Sequence, residues 1–106
     1  MQIRRDIFTT GELGTYIKEQ SLICLDKRGV FVITGCSHPG LHTILNAVSK
    51  FGEIYGVIGG FHGFSDFDIL TGVELISPCH CTSYKREIAR AFPKQYVRCG
   101  AGLVIE

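Results

Sequence analysis

Histidines follow apolar, β-branched stretches at three places in this chain of 106 residues. The three runs are residues 35–38 (Gly-Cys-Ser-His), 59–62 (Gly-Gly-Phe-His) and 78–81 (Pro-Cys-His-Cys). In α/β proteins, side chains that follow the carboxyl ends of parallel strands meet at one edge of the sheet, where such folds bind ligands. Because imidazole is a common metal ligand, His38, His62 and His80 predict a metal site at that edge.

The residues around these runs predict alternating strands and helices. Four apolar segments are interpreted as strands, at 21–26, 30–34, 54–58 and 73–77. A Lys-Arg-Gly turn joins the first two segments into a hairpin. Because the later segments are separated by helical patterns, the sequence predicts an α/β fold with parallel pairing across the crossovers.

Two helices are predicted from the apolar spacing. Leu41, Ile44, Leu45 and Val48 recur at helical intervals, and Gly52 marks the exit of this first helix. The second helix has Tyr84, Ile88, Ala91 and Phe92 on one face, begins at an N-cap of Thr82 or Ser83 and stops at Pro93. Short strands are expected at the ends of the chain, at 7–8, 95–99 and 102–105.

Composition excludes several classes of protein. With 45% hydrophobic and 20% charged residues, the chain is expected to form a single globular domain over 1–106. Its net charge of +1 gives no reason to expect a nucleic-acid partner. No apolar run approaches the ~20 residues that cross a membrane. Since the amino terminus also lacks an apolar secretion signal, we expect a cytoplasmic protein.

The five cysteines are odd in number and scattered, so reduced thiols are expected. A ribbon-type zinc knot needs two Cys-x-x-Cys pairs, which this chain lacks. In an extended segment, Cys79 and Cys81 would point away from His80, which favours buried apolar thiols over ligands. Cys36, near His38 and a predicted helix start, is an alternative as a nucleophile, but no orienting carboxylate is evident.

Three motifs resemble the C-terminal half of one branch of the metallo-β-lactamase superfamily. They are residues 34–40 (Thr-Gly-Cys-Ser-His-Pro-Gly), 57–62 (Val-Ile-Gly-Gly-Phe-His) and 78–82 (Pro-Cys-His-Cys-Thr). Residues 10–13 and 19–22 also resemble this branch, which includes the dihydropterin ribofuranosylaminobenzene-phosphate synthases and proteins described as metal-dependent hydrolases. The resemblance implies half of an αββα sandwich, with one mixed sheet and about two helices.

In this superfamily, metal ions lie at one edge between two sheets and activate a water molecule. The resemblance implies that His38 is the ligand after the first strand of this half and that His80 is the last histidine ligand. His62 stands where a bridging aspartate is usual. The His-x-His-x-Asp-His motif of the first half does not occur in this sequence, and no histidine precedes His38.

Two hypotheses follow from this comparison. In the first, the chain is part of a metal-dependent hydrolase, inactive alone, whose imidazoles bind zinc, iron or manganese. In the second, it is a non-catalytic, truncated α/β module for metal binding or interaction.

Because strand 30–33 is apolar on consecutive positions, both faces of the sheet are expected to be covered. We therefore expect a homodimer, or else pairing with a separate N-terminal-half chain.

Overall fold

A computed structural model describes residues 1–100, 102, 104 and 105 as one mixed sheet with two α-helices. The six strands are β1 (Gln2–Arg4), β2 (Ile7–Thr9), β3 (Leu22–Asp26), β4 (Gly29–Thr34), β5 (Ile54–Gly59) and β6 (Leu75–Pro78). The helices are α1 (Leu41–Val48) and α2 (Lys85–Ala91), and short 3-10 turns occupy Ser49–Phe51 and Phe67–Leu70. The predicted α/β class, with one mixed sheet and two helices, is confirmed.

The strands lie in the sheet in the order in which they occur in the chain. Strands β1 to β4 pair antiparallel, and β5 and β6 add in parallel beyond β4. Gly29 at the turn of the predicted hairpin has a φ of 141°, a conformation that favours glycine. The hairpin and both parallel pairings therefore form as the sequence predicts.

One face of the sheet, here called the inner face, packs against the helices. Its strand residues are fully buried, with 0% exposure at Ile23, Val32, Val57 and Ile76. They share a single core with the four apolar positions predicted on α1 and with Ile88 of α2. Burial of such side chains contributes about 25 cal/mol per Å2 of apolar surface, so this core is the main source of stability.

The opposite side, here called the outer face, is less completely covered. Because side chains alternate along a strand, Leu22, Cys24 and Ile33 point away from the helices. Leu22 and Ile33 are each 38% exposed, whereas Cys24 and Ile58 are half-buried. Central strands of this sheet therefore present apolar side chains to solvent on one side.

Several predicted details are wrong at the ends of elements. The chain begins with β1, so β2 is not an edge strand. Helix α2 starts after Tyr84 rather than after Thr82 or Ser83, and the Thr82 hydroxyl instead accepts a hydrogen bond from the Phe61 amide. The exposed Tyr84 and Ala91 leave Ile88 as the buried residue of α2.

The predicted closing strands do not form in the part of the chain that the structure describes. Residues 95–99 make only an isolated parallel bridge, between Tyr96 and Ile76. The strand predicted at 102–105 includes residue 103, which lies outside the described residues, and none of the described residues there is in a strand. None of the described helices has the length and apolar character needed to cross a membrane.

Candidate metal centre

The carboxyl ends of β4, β5 and β6 lie side by side because these three strands are parallel. The loops that follow them are joined by backbone hydrogen bonds: the Gly60 amide donates to the Gly35 carbonyl at 2.8 Å, and the Cys79 amide donates to the Gly59 carbonyl at 2.7 Å. All three predicted histidines are on these loops. The structure brings them to one edge but divides them between two clusters.

The first is the carboxylate–imidazole cluster, formed by Glu19, His38 and His62. Glu19 Oε1 lies 2.7 Å from His38 Nδ1 and 2.9 Å from the His38 backbone nitrogen, while its Oε2 accepts the Ser37 amide at 2.9 Å. The rings of His38 and His62 are 4.9 Å apart between centroids. Since an ionised carboxylate only accepts hydrogen bonds, Nδ1 of His38 carries a proton and Nε2 remains available to a ligand.

Glu19 is not among the functional residues predicted from the sequence. Partial burial tends to raise its pKa, but hydrogen bonds from the His38 backbone, the His38 ring and the Ser37 backbone outweigh this effect. The net result is a pKa below the ordinary glutamate value, so Glu19 is ionised at neutral pH. The available indication in the sequence is that residues 19–22 resemble one branch of the metallo-β-lactamase superfamily. That resemblance assigns no role to Glu19.

Two loop residues near this cluster have left-handed backbone conformations. Ser37 has a φ of 63° and His62 a φ of 50°, which is uncommon for residues other than glycine. The Ser37 hydroxyl donates to the Gly60 carbonyl at 2.6 Å, and the His62 carbonyl accepts the Ser83 amide at 2.8 Å. These hydrogen bonds hold conformations of the kind that clusters at functional sites.

Two grooves are lined in part by His38 and His62. One has a volume of about 490 Å3 and is also lined by Tyr16 and Ile17. The other has about 360 Å3 and includes Phe61, Phe64 and Asp66. Both grooves leave space for a small molecule next to the two imidazoles.

The second is the thiol–imidazole cluster, formed by Cys36, His80 and Cys81. Their Sγ and ring nitrogen atoms all lie within 4.8 Å of one another, and Cys36 Sγ is 3.3 Å from His80 Nε2. The Cys81 thiol also donates to the Cys36 carbonyl at 3.7 Å. Among the described residues, Cys36, His80 and Cys81 are the three potential ligands that lie close enough to share one ion. His38, His62 and His80 do not form such a group.

The expected orientation of the cysteines beside His80 is wrong for Cys81. Residues 79–82 form a turn closed by the Thr82 amide and the Cys79 carbonyl, so the alternation of an extended strand does not apply. Reduced thiols were expected throughout, but Cys79 is bonded to Cys99, with their Cα atoms 5.3 Å apart. Cys24, Cys36 and Cys81 are free thiols.

The surroundings of Cys36 differ from those that made it a candidate nucleophile. Its thiol contacts His80 rather than His38, and α1 begins only at Leu41, beyond the reach of a helix-terminus effect on Cys36. The hydrogen bond with Cys81, followed by desolvation and the negative charges of Cys81 and Glu19, raises the pKa of Cys36. A raised pKa is the opposite of the activated thiolate that nucleophilic catalysis needs.

This chain is similar in sequence to curated proteins of one organism. No protein-family model matches the chain. It is 32% identical over 104 residues to the 7,8-dihydropterin-6-methyl-4-(beta-D-ribofuranosyl)-aminobenzene-5'-phosphate synthase of Methanocaldococcus jannaschii, a match that covers 83% of this chain and 35% of that protein. An uncharacterized protein of the same organism is 41% identical over 63 residues, which cover 51% of this chain and 25% of that one.

A crystal structure supports the same relationship at the level of the fold. Tm1679, described as a metal-dependent hydrolase of the β-lactamase superfamily, is 30% identical with a TM-score of 0.76, covering 100% of this chain and 55% of Tm1679. The chain thus spans about a third and a quarter of the curated relatives it matches and about half of this solved structure. The resemblance predicted from the three histidine motifs is confirmed: this chain has a metallo-β-lactamase-like fold that corresponds to about half of a superfamily hydrolase.

Proposed function

We propose that this chain is part of a metal-dependent hydrolase, to which His38, His62 and His80 contribute metal ligands. The observation that carries the proposal is the Glu19–His38 pair beside the His62 ring, at the carboxyl edge of a sheet similar to that of a metal-dependent hydrolase. His38, His62 and His80 would hold a divalent metal there, and the chemistry that the metal would supply is activation of a water molecule for hydrolysis.

The residues of this chain fit the role of metal ligands. Glu19 fixes the His38 tautomer with its proton on Nδ1, which is how carboxylates commonly orient metal-binding imidazoles. Imidazole donors suit zinc, iron and manganese. The grooves beside His38 and His62 leave room for a substrate to approach.

The proposal includes ligands from outside this chain. The His-x-His-x-Asp-His motif does not occur in the sequence, and His80 lies with thiols instead of with the other two histidines. With two or three imidazoles, the site would hold its metal weakly and without the complete set of ligands that water activation needs. We therefore expect the isolated chain to be inactive, or nearly so, as a hydrolase.

Metal titration of the purified chain tests the proposal. Mn2+ is titrated into the wild type, the His38→Ala/His62→Ala double variant and a control, His42→Ala, which alters an exposed histidine on α1. We expect weak binding by the wild type and the control and none by the double variant. Equal binding by all three proteins would contradict the proposed ligands, and no binding by the wild type would favour a non-catalytic module.

Turnover is measured on the same samples with a chromogenic phosphodiester and an ester. We expect no metal-dependent hydrolysis above that of the double variant. Robust turnover by the wild-type chain would show that the site is complete within this chain, and would overturn the expectation that further ligands are required.

We also propose that a second copy of the chain covers the outer face in a homodimer. Leu22 and Ile33 are paired neighbours on strands β3 and β4, near the middle of the sheet, and both are exposed, so a second copy placed on this face would bury them. The chain corresponds to about half of Tm1679, so two copies related by a two-fold axis would together be about as large as Tm1679.

Light scattering at micromolar concentration tests this arrangement, with an Ile33→Lys variant for comparison. We expect the wild type at twice the chain mass of 11.7 kDa and the variant at 11.7 kDa. A stable, folded wild-type species at 11.7 kDa would overturn the proposal that the outer face needs a partner.

A further inference from the structure

We infer that Cys36, His80 and Cys81 form a second metal site, specific for zinc or a similarly thiophilic ion. The inference stands on the geometry of these three residues and does not depend on hydrolysis. It goes beyond the proposed function because two of the three ligands are thiolates, which the histidine site does not use. The two sites share His80, so occupancy of one withdraws this ligand from the other.

The ligand atoms lie close enough together to approach the spacing of a tetrahedral site. Zinc bonds of about 2.3 Å to sulfur and about 2.0–2.1 Å to nitrogen place tetrahedral ligands about 3.5–3.8 Å apart. Cys36 Sγ is 3.3 Å from His80 Nε2, and all three ligand atoms lie within 4.8 Å of one another. The three atoms are therefore near enough to converge on one ion when their loops adjust.

The backbone around the cluster holds these residues together before any ion binds. Gly60 lies directly against it: a Cβ at this position would be 2.5 Å from Cys81 Sγ and 3.0 Å from His80 Cε1. The Gly60 amide donates a hydrogen bond to the carbonyl of Gly35, the residue before Cys36. The loops after β4 and β6 therefore meet at Gly60. The first loop supplies Cys36, and the second supplies His80 and Cys81.

The cluster is also open to solvent on one side. His80 is exposed, while Cys36 and Cys81 are half-buried, so an ion has a route of entry. Three protein ligands leave a fourth position for water or for a ligand from another molecule. Because zinc binding displaces thiol protons and thiolates select soft ions, this site should prefer zinc to the manganese or magnesium that oxygen ligands favour.

Titration with Co2+ tests the inference, because thiolate ligands give Co2+ an ultraviolet charge-transfer band that imidazole ligands do not. The wild type, Cys36→Ser, Cys81→Ser, His38→Ala and the control Cys24→Ser are titrated anaerobically, then back-titrated with Zn2+. We expect a one-to-one band in the wild type, His38→Ala and Cys24→Ser, displaced by zinc. In Cys36→Ser and Cys81→Ser we expect a loss of affinity larger than the roughly 10–100-fold cost of removing an outer-shell partner.

Alkylation of the wild type gives a second measurement that needs no variant. With and without Zn2+, the chain is treated with N-ethylmaleimide and the modified cysteines are identified by mass spectrometry. We expect zinc to protect Cys36 and Cys81 and to leave Cys24 unchanged. The inference is overturned if the wild type shows no charge-transfer band, if both serine variants keep it, if His38→Ala abolishes it, or if zinc protects neither cysteine. Loss of Mn2+ binding in His38→Ala/His62→Ala reports separately on the proposed hydrolytic site.

Discussion

The two clusters at the carboxyl edge of the sheet are held in place by different forces. In the carboxylate–imidazole cluster, a charged residue from a distant loop, Glu19, accepts three hydrogen bonds from the segment that carries His38. In the thiol–imidazole cluster, close backbone approach across Gly60 brings the ligands together. The first cluster therefore depends on electrostatics and the second on packing, and each should respond to a different class of substitution.

The largest effect is expected from removal of the disulfide in a Cys79→Ser/Cys99→Ser variant. The bond closes a loop with a sequence separation of 20, which corresponds to about 3 kcal/mol in the free energy of unfolding by the chain-entropy model. Because Cys79 adjoins His80 and Cys81, zinc affinity should fall as well. Urea denaturation and Co2+ titration measure both effects. An unchanged zinc affinity would show that the disulfide does not support the thiol–imidazole cluster.

A Gly60→Ala variant is expected to damage the same cluster. The added methyl group would lie 2.5 Å from Cys81 Sγ and 2.6 Å from the Gly35 carbonyl oxygen, so the two loops must separate. Overpacking of this kind costs about 1–3 kcal/mol. Gly63→Ala is the matched control, since no atom lies within 4 Å of its added Cβ. Thermal unfolding compares the two, and equal melting temperatures would refute the packing argument.

A Glu19→Gln variant is expected to loosen the other cluster. The amide keeps only one acceptor oxygen, so His38 and Ser37 lose part of their hydrogen bonding, at a cost of about 1–2 kcal/mol. Glu12→Gln, an exposed glutamate of the same loop region, serves as the control. Imidazole NMR resonances should shift for His38 and not for His80. A shift at both histidines would mean that the clusters are not held independently.

The smallest effect is expected from Ser37→Ala, which removes a hydroxyl that donates to the Gly60 carbonyl. That carbonyl also accepts the Thr34 hydroxyl at 3.1 Å, so it stays paired, and the loss should be only about 0.5–1 kcal/mol. Chemical denaturation provides the measurement. A loss above 2 kcal/mol would indicate that Ser37 couples the two clusters more strongly than its hydrogen bond suggests.

Local patterns explain what the sequence predicted correctly. The hairpin turn at Gly29 and the buried stripe of α1 depend on residues close together in the chain, so spacing and turn chemistry suffice to find them. The three strand-end histidines follow from the same logic, since parallel strands present their carboxyl ends at a common edge.

Long-range contacts account for what was missed. Glu19 contacts His38, which lies 19 residues further along the chain, and no local sequence pattern indicates this contact. Cys81 joins His80 because residues 79–82 turn, whereas the prediction assumed an extended strand. Thr82, one of the two predicted helix caps, instead accepts a hydrogen bond on its hydroxyl from the Phe61 amide of a neighbouring loop. In each case a tertiary hydrogen bond or turn overrides the local preference.

The order of the strands has a consequence for how quickly the fold can form. Each strand of the sheet pairs with the strand that precedes it in the chain, so no pairing must wait for a distant segment. The entropic cost of closing each connection is correspondingly small, and mixed α/β domains with such contacts fold faster than all-β sandwiches. Strand pairing is therefore able to proceed from β1 to β6 in the order in which the ribosome delivers them.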